Sequence, residues 1–187
     1  DPARALVSLA SKEGYRLILM GTRNRRGIAR LPMLSVAKQV LRTSRVPVLI
    51  IHTPFRTFSR PRIKRIVVPL DGTHRSSRIL EPLAPLAKAL GARLLFTTVV
   101  DPRKKGELPS EIVARNLFRA QKKLHRMGIP TELSIRYGDT ASEILSFGSV
   151  QKADMMALAT HGRDGLERLF QGSVAESILC KGNLPLM

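Results

Sequence analysis

The sequence predicts an α/β fold, an open parallel sheet with helices on both faces, present as a tandem repeat. Three observations carry this. Apolar, β-branched runs such as IKRIVVPL (63–70) have the continuous hydrophobicity of strands buried on both faces. Segments of helical period separate these runs, so strand and helix alternate as parallel sheets require. Residues 1–49 also align with 139–187 at a constant offset of 138 without a gap, and 14 of the 49 positions are identical. A gapless match of that length indicates a duplicated unit.

Taken in order, the fuller unit begins with the strand IKRIVVPL (63–70). HRSSRILEPLAPLAKALG (74–91) follows as a helix with a glycine stop, where Pro82 and Pro85 imply a kink or a late start. ARLLFTTVV (92–100) is the second strand, and SEIVARNLFRAQKKLHRMG (110–128) an amphipathic helix ending at Gly128. TELSIRYG is the third strand, and DTASEILSFGSVQK a helix for which Asp139 supplies the cap. ADMMALA (153–159) is the fourth strand, its methionines read as core. SVAESILCKG is the next helix, and NLPLM (183–187) starts a fifth strand.

Residues 63–138 have no counterpart at the N-terminus. The expected layout is therefore the C-terminal part of a first domain at 1–52, a basic linker at 53–62 and a second, nearly complete domain at 63–187. DPARALVSLASKEG has neither an initiator Met nor a signal-peptide pattern and reads as a chain entered part-way. The apolar runs are all shorter than the roughly 20 residues a membrane span requires. A single cysteine, Cys180, excludes an internal disulfide framework and fits a reducing, cytoplasmic compartment. It sits on an apolar helical face beside Ile178 and reads as buried and inert.

The net charge is +18, and residues 1–60 alone hold 12 Lys or Arg against 2 Asp or Glu. Such a balance favours polyanions or anionic surfaces. Aromatic content of 4% with no Trp leaves few stacking platforms for single strands, so nucleic acid is possible but not the favoured partner.

The chemistry concentrates in ATHGRDGLERLFQGSVAES (159–177), between the fourth strand and the next helix. Ligands of open parallel sheets bind outside the carboxyl ends of the strands. Glycine lets backbone approach a ligand closely. Ser173 opens a helix whose free N–H groups favour phosphate, and Arg163 adds charge. The first copy of this stretch, GTRNRRGIARLPMLSVAKQ (21–39), has Asn24 and Leu34 where the second has Gly162 and Gly172. An aliphatic side chain at a phosphate position leaves that copy a degenerate loop, to which no nucleotide is assigned.

The string Gly162-x9-Gly172-Ser173, with Val174 following and Ala159 three residues ahead of Gly162, resembles the ATP-binding signature of the universal stress protein family, G-x2-G-x9-G-[S/T]. IVVPLDGT (66–73), TTVVDP (97–102) and GDTASEIL resemble other segments of that family, so the likeness covers essentially the whole chain. The resemblance implies a Rossmann-like, five-stranded parallel sheet of order 3-2-1-4-5 and a stress-response protein that binds ATP, with Mg²⁺ on its phosphates, or a related adenine nucleotide. By position it places Asp71 at the ribose or phosphates, Pro69 on the same wall and the backbone of Val99 at adenine. Gly162, Gly172, Ser173 and Val174 would line the phosphates, and His161 could touch them. Ala159 departs from the signature, whose first position is glycine, and its methyl narrows the approach. The resemblance also implies pairing of fifth strands, here VPVLIIH (46–52) and LPLM (184–187), within the chain or in a homodimer.

No catalytic set stands out. Asp71, His161 and Ser173 lack the nucleophile elbow of a hydrolytic triad. His52, His74 and His125 show no metal spacing, so no protein-bound metal site is assigned. Activity would be at most weak ATP hydrolysis. The alternative is a nucleotide-free basic module for an acidic partner, in which Arg23, Arg25, Arg26 and Arg30 form the densest cluster.

Overall fold

The computed structural model describes residues 1–22, 36–52, 62–103, 110–159, 174–175, 177–178 and 184–187. The chain divides into two compact units, Asp1–Pro61 with Thr160–Met187, and Arg62–Ala159.

The second unit carries a four-stranded parallel sheet: β3 (Arg65–Pro69), β4 (Arg93–Val100), β5 (Thr131–Tyr137) and β6 (Met155–Met156), in spatial order β5-β4-β3-β6. The chain moves outward from β3 to β5 and then returns to the other side of β3. Ile66, Val67 and Val68 are all buried, as the unbroken apolar run requires, because layers cover both faces of β3. The opposite faces of β5 show those layers directly. The Thr131 hydroxyl lies 2.8 Å from His125 Nε2 of α5 (Ser110–Arg126), while Arg136, five residues on and so on the other face, pairs with Glu143 of α6 (Thr140–Val150) at 2.7 Å. Arg136 also lies over the Phe147 ring at 5.8 Å.

The stretch expected as one helix over 74–91 is two: α3 (His74–Ser77) and α4 (Leu80–Leu90). The break falls at Arg78 and Ile79, so Pro82 stands in the first turn of α4, where its missing N–H is not needed. Pro85 lies inside α4. Gly91 ends the helix in the left-handed region, and Ala92 N donates to Ala87 O at 2.9 Å. Asp139 caps α6 by accepting from Ser142 N at 3.0 Å and from the Ser142 hydroxyl at 2.7 Å.

One strand expectation is corrected. The fourth strand, read over 153–159, is regular only at Met155 and Met156. Ala157 N still donates to Val67 O, but the next parallel bond would need an N–H from position 69, and Pro69 has none. The sheets among the described residues have two and four strands. Leu186 makes an antiparallel bridge to Ile50, with Ile50 N donating to Leu186 O at 2.7 Å and Leu186 N to Ile50 O at 2.9 Å, so the segments 46–52 and 184–187 meet as expected of fifth strands.

The first unit contains α1 (Pro2–Lys12), β1 (Ile18–Thr22), α2 (Val36–Thr43) and β2 (Val48–His52), with β1 and β2 paired in parallel from Ile18↔Val48 to Thr22↔His52. Ala3, Val40, Val48 and Ile50 form its core, with Val7, Ile18 and Met20 packed against them. Asp1 caps α1 by accepting from Ala3 N at 3.0 Å.

Gly72 and Gly14 both have positive φ, +77° and +69°. A Cβ on Gly72 would meet Val113 Cα at 2.8 Å, whereas none of the surroundings of Gly14 comes within 4 Å of one. Gly72→Ala is expected to destabilise by well over about 1 kcal/mol and Gly14→Ala by about that much, read as denaturant midpoints. Equal losses would show that crowding by α5 contributes nothing.

Candidate functional site

The carboxyl ends of β3, β4 and β6 lie side by side, and the sheet reverses its order of construction between β3 and β6. Register places three of the expected residues there. Pro69 pairs with Thr97, and Leu70 N donates to Thr97 O at 2.9 Å, so Val99 extends β4 just past the end of β3. Ala159 follows two residues after Ala157, the last to bond β3. All three are half-buried. Stopping the β3–β6 ladder at Pro69 frees the backbone beyond it to part from its neighbour.

Asp71 stands at the same end, exposed yet held. Its Oδ1 accepts from Thr73 N at 2.9 Å and from the Thr73 hydroxyl at 2.6 Å. Thr73 in turn caps α3 by accepting from Ser76 N at 3.1 Å, and the Ser76 hydroxyl accepts from Asp71 N at 3.3 Å. Asn116 of α5 donates from Nδ2 to Gly72 O at 2.8 Å, fixing the turn from behind. Partial burial pushes the Asp71 carboxyl up, but the hydrogen bonds from Ser76 and Thr73 outweigh it and hold the group below its ordinary value of 3.8. The result is an oriented carboxylate, ionised at neutral pH and an acceptor for hydroxyl donors.

A second polar group braces the neighbouring strand end. Asp101, one residue beyond β4, is only 3% exposed. Arg103 grips it with two parallel bonds, Nε to Oδ1 and Nη2 to Oδ2, both 2.8 Å, and Nη2 also reaches Asp139 Oδ2 at 3.2 Å. The bonds from Ser142, and then Arg103, hold the Asp139 carboxyl below the usual range. One guanidinium thus ties the end of β4 to the cap of α6.

Thr97 is 1% exposed, and its hydroxyl has no hydrogen-bond partner among the described residues. Sequence reasoning missed Thr73, Ser76, Asn116, Thr97 and the Asp101–Arg103–Asp139 set. The pattern D-G-T-x-x-S at 71–76 carried a legible signal for the first two, an Asx turn running into a helix cap. Asn116 is brought in by α5 and Asp139 by the start of α6, both from distant sequence, whereas Thr97 lies within β4 and Asp101 and Arg103 directly follow it.

Val174 has helical backbone, is half-buried and belongs to the first unit. His161, Gly162, Arg163, Gly172 and Ser173 lie outside the described residues, as do Arg23, Asn24, Arg25, Arg26, Arg30, Leu34 and Cys180.

Comparison with known proteins agrees with this architecture. The universal stress protein family profile matches residues 1–52 and 62–187. Universal stress protein MJ0531 of Methanocaldococcus jannaschii is 31% identical over 136 residues, covering 66% of this chain and 80% of that protein. The crystal structure of a universal stress protein from Archaeoglobus fulgidus superposes with TM-score 0.73 at 23% identity, over 100% of this chain. The chain spans 64% of that structure's length. A universal stress protein crystallised in complex with cAMP superposes with TM-score 0.56 at 19% identity, over 67% of this chain and 95% of its own.

Two outcomes follow from the site's geometry. Asp71 contributes stability that is complete above pH 3.8 and is lost as pH falls through its lower folded value. Asp71→Asn should therefore flatten the acid limb of the stability curve, and a carboxyl midpoint above 3.8 in a chemical-shift titration would contradict it. Thr97→Val replaces an orphaned hydroxyl by a methyl of like volume and is expected to be neutral or to stabilise by about 1 kcal/mol; a clear loss in a thermal melt would show that the hydroxyl is satisfied. The parallel sheet with helices on both faces, the built strand ends and the family match lead to one statement: this chain belongs to the universal stress protein family.

Proposed function

We propose that the chain is a stress-response protein that binds ATP or a related adenine nucleotide at the carboxyl ends of β3, β4 and β6. The observation that carries this reading is Asp71: an exposed carboxylate, fixed by Thr73 and Ser76 and kept ionised, at the end of the strand beside the switch in sheet order. A family member in complex with cAMP supports a nucleotide of the adenine class. In this reading Asp71 accepts ribose hydroxyls, Pro69 forms the adjoining wall and the backbone of Val99 meets the base. Gly162, Gly172, Ser173 and Val174 take the phosphates with His161 and Arg163 beside them, and Ala159 narrows the entrance.

Mg²⁺ would accompany the phosphates rather than occupy a site built by side chains. In this reading no residue is assigned as a general base, and the chain works by binding or slow hydrolysis. The same reading takes residues 1–52 as the C-terminal part of a first domain and 63–187 as a second, nearly complete one on the 3-2-1-4-5 plan, joined by 53–62. It takes the bridge between Ile50 and Leu186 as the meeting of their fifth strands, with homodimer pairing as the intermolecular form. The location is cytoplasmic. Among the described residues no helix is long and apolar enough to cross a membrane.

A second reading rests on the net charge of +18: a basic module, free of nucleotide, that binds nucleic acid or another acidic partner. Calorimetric titration of ATP, with and without Mg²⁺, separates the two. Micromolar binding that falls at least tenfold in Gly172→Leu and in Asp71→Ala, and tightens in Ala159→Gly, is expected. Absence of heat in all four proteins, with salt-sensitive retention on a polyanion, would transfer the function to the basic surface.

A further inference from the structure

β5 is the outer strand of the four-stranded sheet, with β4 on one side and no strand on the other among the described residues. Its backbone groups divide by position. Pro130 O accepts from Leu94 N at 2.9 Å and Gly138 N donates to Val100 O at 3.1 Å, so the even positions between them face β4. The odd positions, Thr131, Leu133, Ile135 and Tyr137, turn N–H and C=O to the outer edge. α5 closes that edge at Thr131, whose N–H donates to His125 Nε2 at 3.2 Å and whose carbonyl accepts from Gln121 Nε2 at 3.0 Å. Leu133, Ile135 and Tyr137 are left open, and they are symmetric about Ile135.

The same three residues carry large apolar side chains on the α5 face of the sheet, where they are 38%, 51% and 73% exposed. Phe118, also largely exposed, stands one turn before Gln121 on the stripe of α5 that closes Thr131. Glu132, Ser134 and Arg136 lie on the α6 face, where Glu132 meets Arg93 and Arg136 meets Glu143, both at 2.7 Å. Soluble proteins blunt such an edge with Lys, Pro or a bulge. TELSIRY has no Lys or Pro, and its register with β4 is unbroken from Thr131 to Tyr137. An apolar edge left open in this way is a template for strand addition.

We infer that the β5 edge is a homodimer seam, at which a second copy of the chain adds its own β5 antiparallel about Ile135. Pairing about this centre sets Ile135 against Ile135 and Leu133 against Tyr137, with two bonds exchanged at each pair. On the α6 face it sets Ser134 against Arg136 and brings each Glu132 diagonally beside the Arg136 of the other copy, carboxylate to guanidinium. No like charges are opposed within the strands. Centring the pair on Leu133 or Ser134 would spend bonds on Thr131, which α5 has already closed. A twofold contact uses the same edge on both chains, so assembly through it stops at two. The seam is separate from the bridge between Ile50 and Leu186, which leaves β5 untouched. A polyanion is the poorer occupant, because the exposed centre of the edge is uncharged.

The test follows the full-length chain through a concentration series by sedimentation velocity and amide hydrogen exchange. A dimer should form as concentration rises, with exchange at Leu133, Ile135 and Tyr137 slowing at least tenfold. Ile135→Lys should raise the dissociation constant at least tenfold. Cross-linking reads the register without relying on that variant. In a chain carrying Cys180→Ser, Ile135→Cys meets its own copy at a Cα separation of about 5.5 Å, within disulfide reach. It should therefore cross-link at least tenfold faster under mild oxidation than Ser134→Cys, which faces Arg136. Salt supplies a further sign. α5 carries Arg115, Arg119, Lys122, Lys123 and Arg126 against Glu111, so the dimer should tighten as salt screens the two helices, whereas polyanion binding would weaken. Four results would overturn the proposal: a monomer throughout the series, a dimer equally tight in Ile135→Lys, equal cross-linking of the two cysteine variants, or edge protection that requires an added polyanion and fades with salt.

Discussion

The second unit depends on the place where β3 stops. Parallel strands are held by slanted, evenly spaced bonds whose donors alternate between the strands, so every second bond on the β6 side needs an N–H from β3. Pro69 lacks one. The ladder to β6 therefore ends at Ala157, while on the other side Leu70 N still reaches Thr97 O and keeps β3 aligned with β4. One missing donor lets two neighbours part at the very end where the sheet reverses its order of construction. A crevice in an open sheet needs just such a divergence.

Around that end, the chain spends its polar groups on rigidity. Thr73, Ser76 and Asn116 hold the turn at Asp71, and Arg103 joins the buried Asp101 to the cap of α6. A carboxylate as deeply buried as Asp101 is tolerated because a planar guanidinium meets both of its oxygens. Asp71 is held differently. It stays open to water, and neutral hydroxyl and amide donors set its position and keep it ionised. The pairing suits a site whose brace must not move and whose acceptor must remain accessible.

The first unit shows the same local rules without the same enclosure. An aspartate caps its leading helix, its two strands pair in parallel over five residues, and a small core closes around Val40 and Ile50. Local rules build these elements, while burial of an element's outer face requires a neighbour.

The sequence by itself determined the alternation of strand and helix, the helix stops at Gly91 and Gly128, the cap at Asp139, the apolar strand of β3 and the residues that bracket its end. These depend on neighbours within a few positions: periodicity, capping side chains and positive-φ glycines. Only the tertiary structure decided the rest. The shortness of β6 depends on what that segment pairs with. Asn116 behind Gly72 and Arg103 between Asp101 and Asp139 join residues that the chain holds far apart. A strand's sequence specifies that it will pair; which edge it finds is set by the free energy of the whole arrangement.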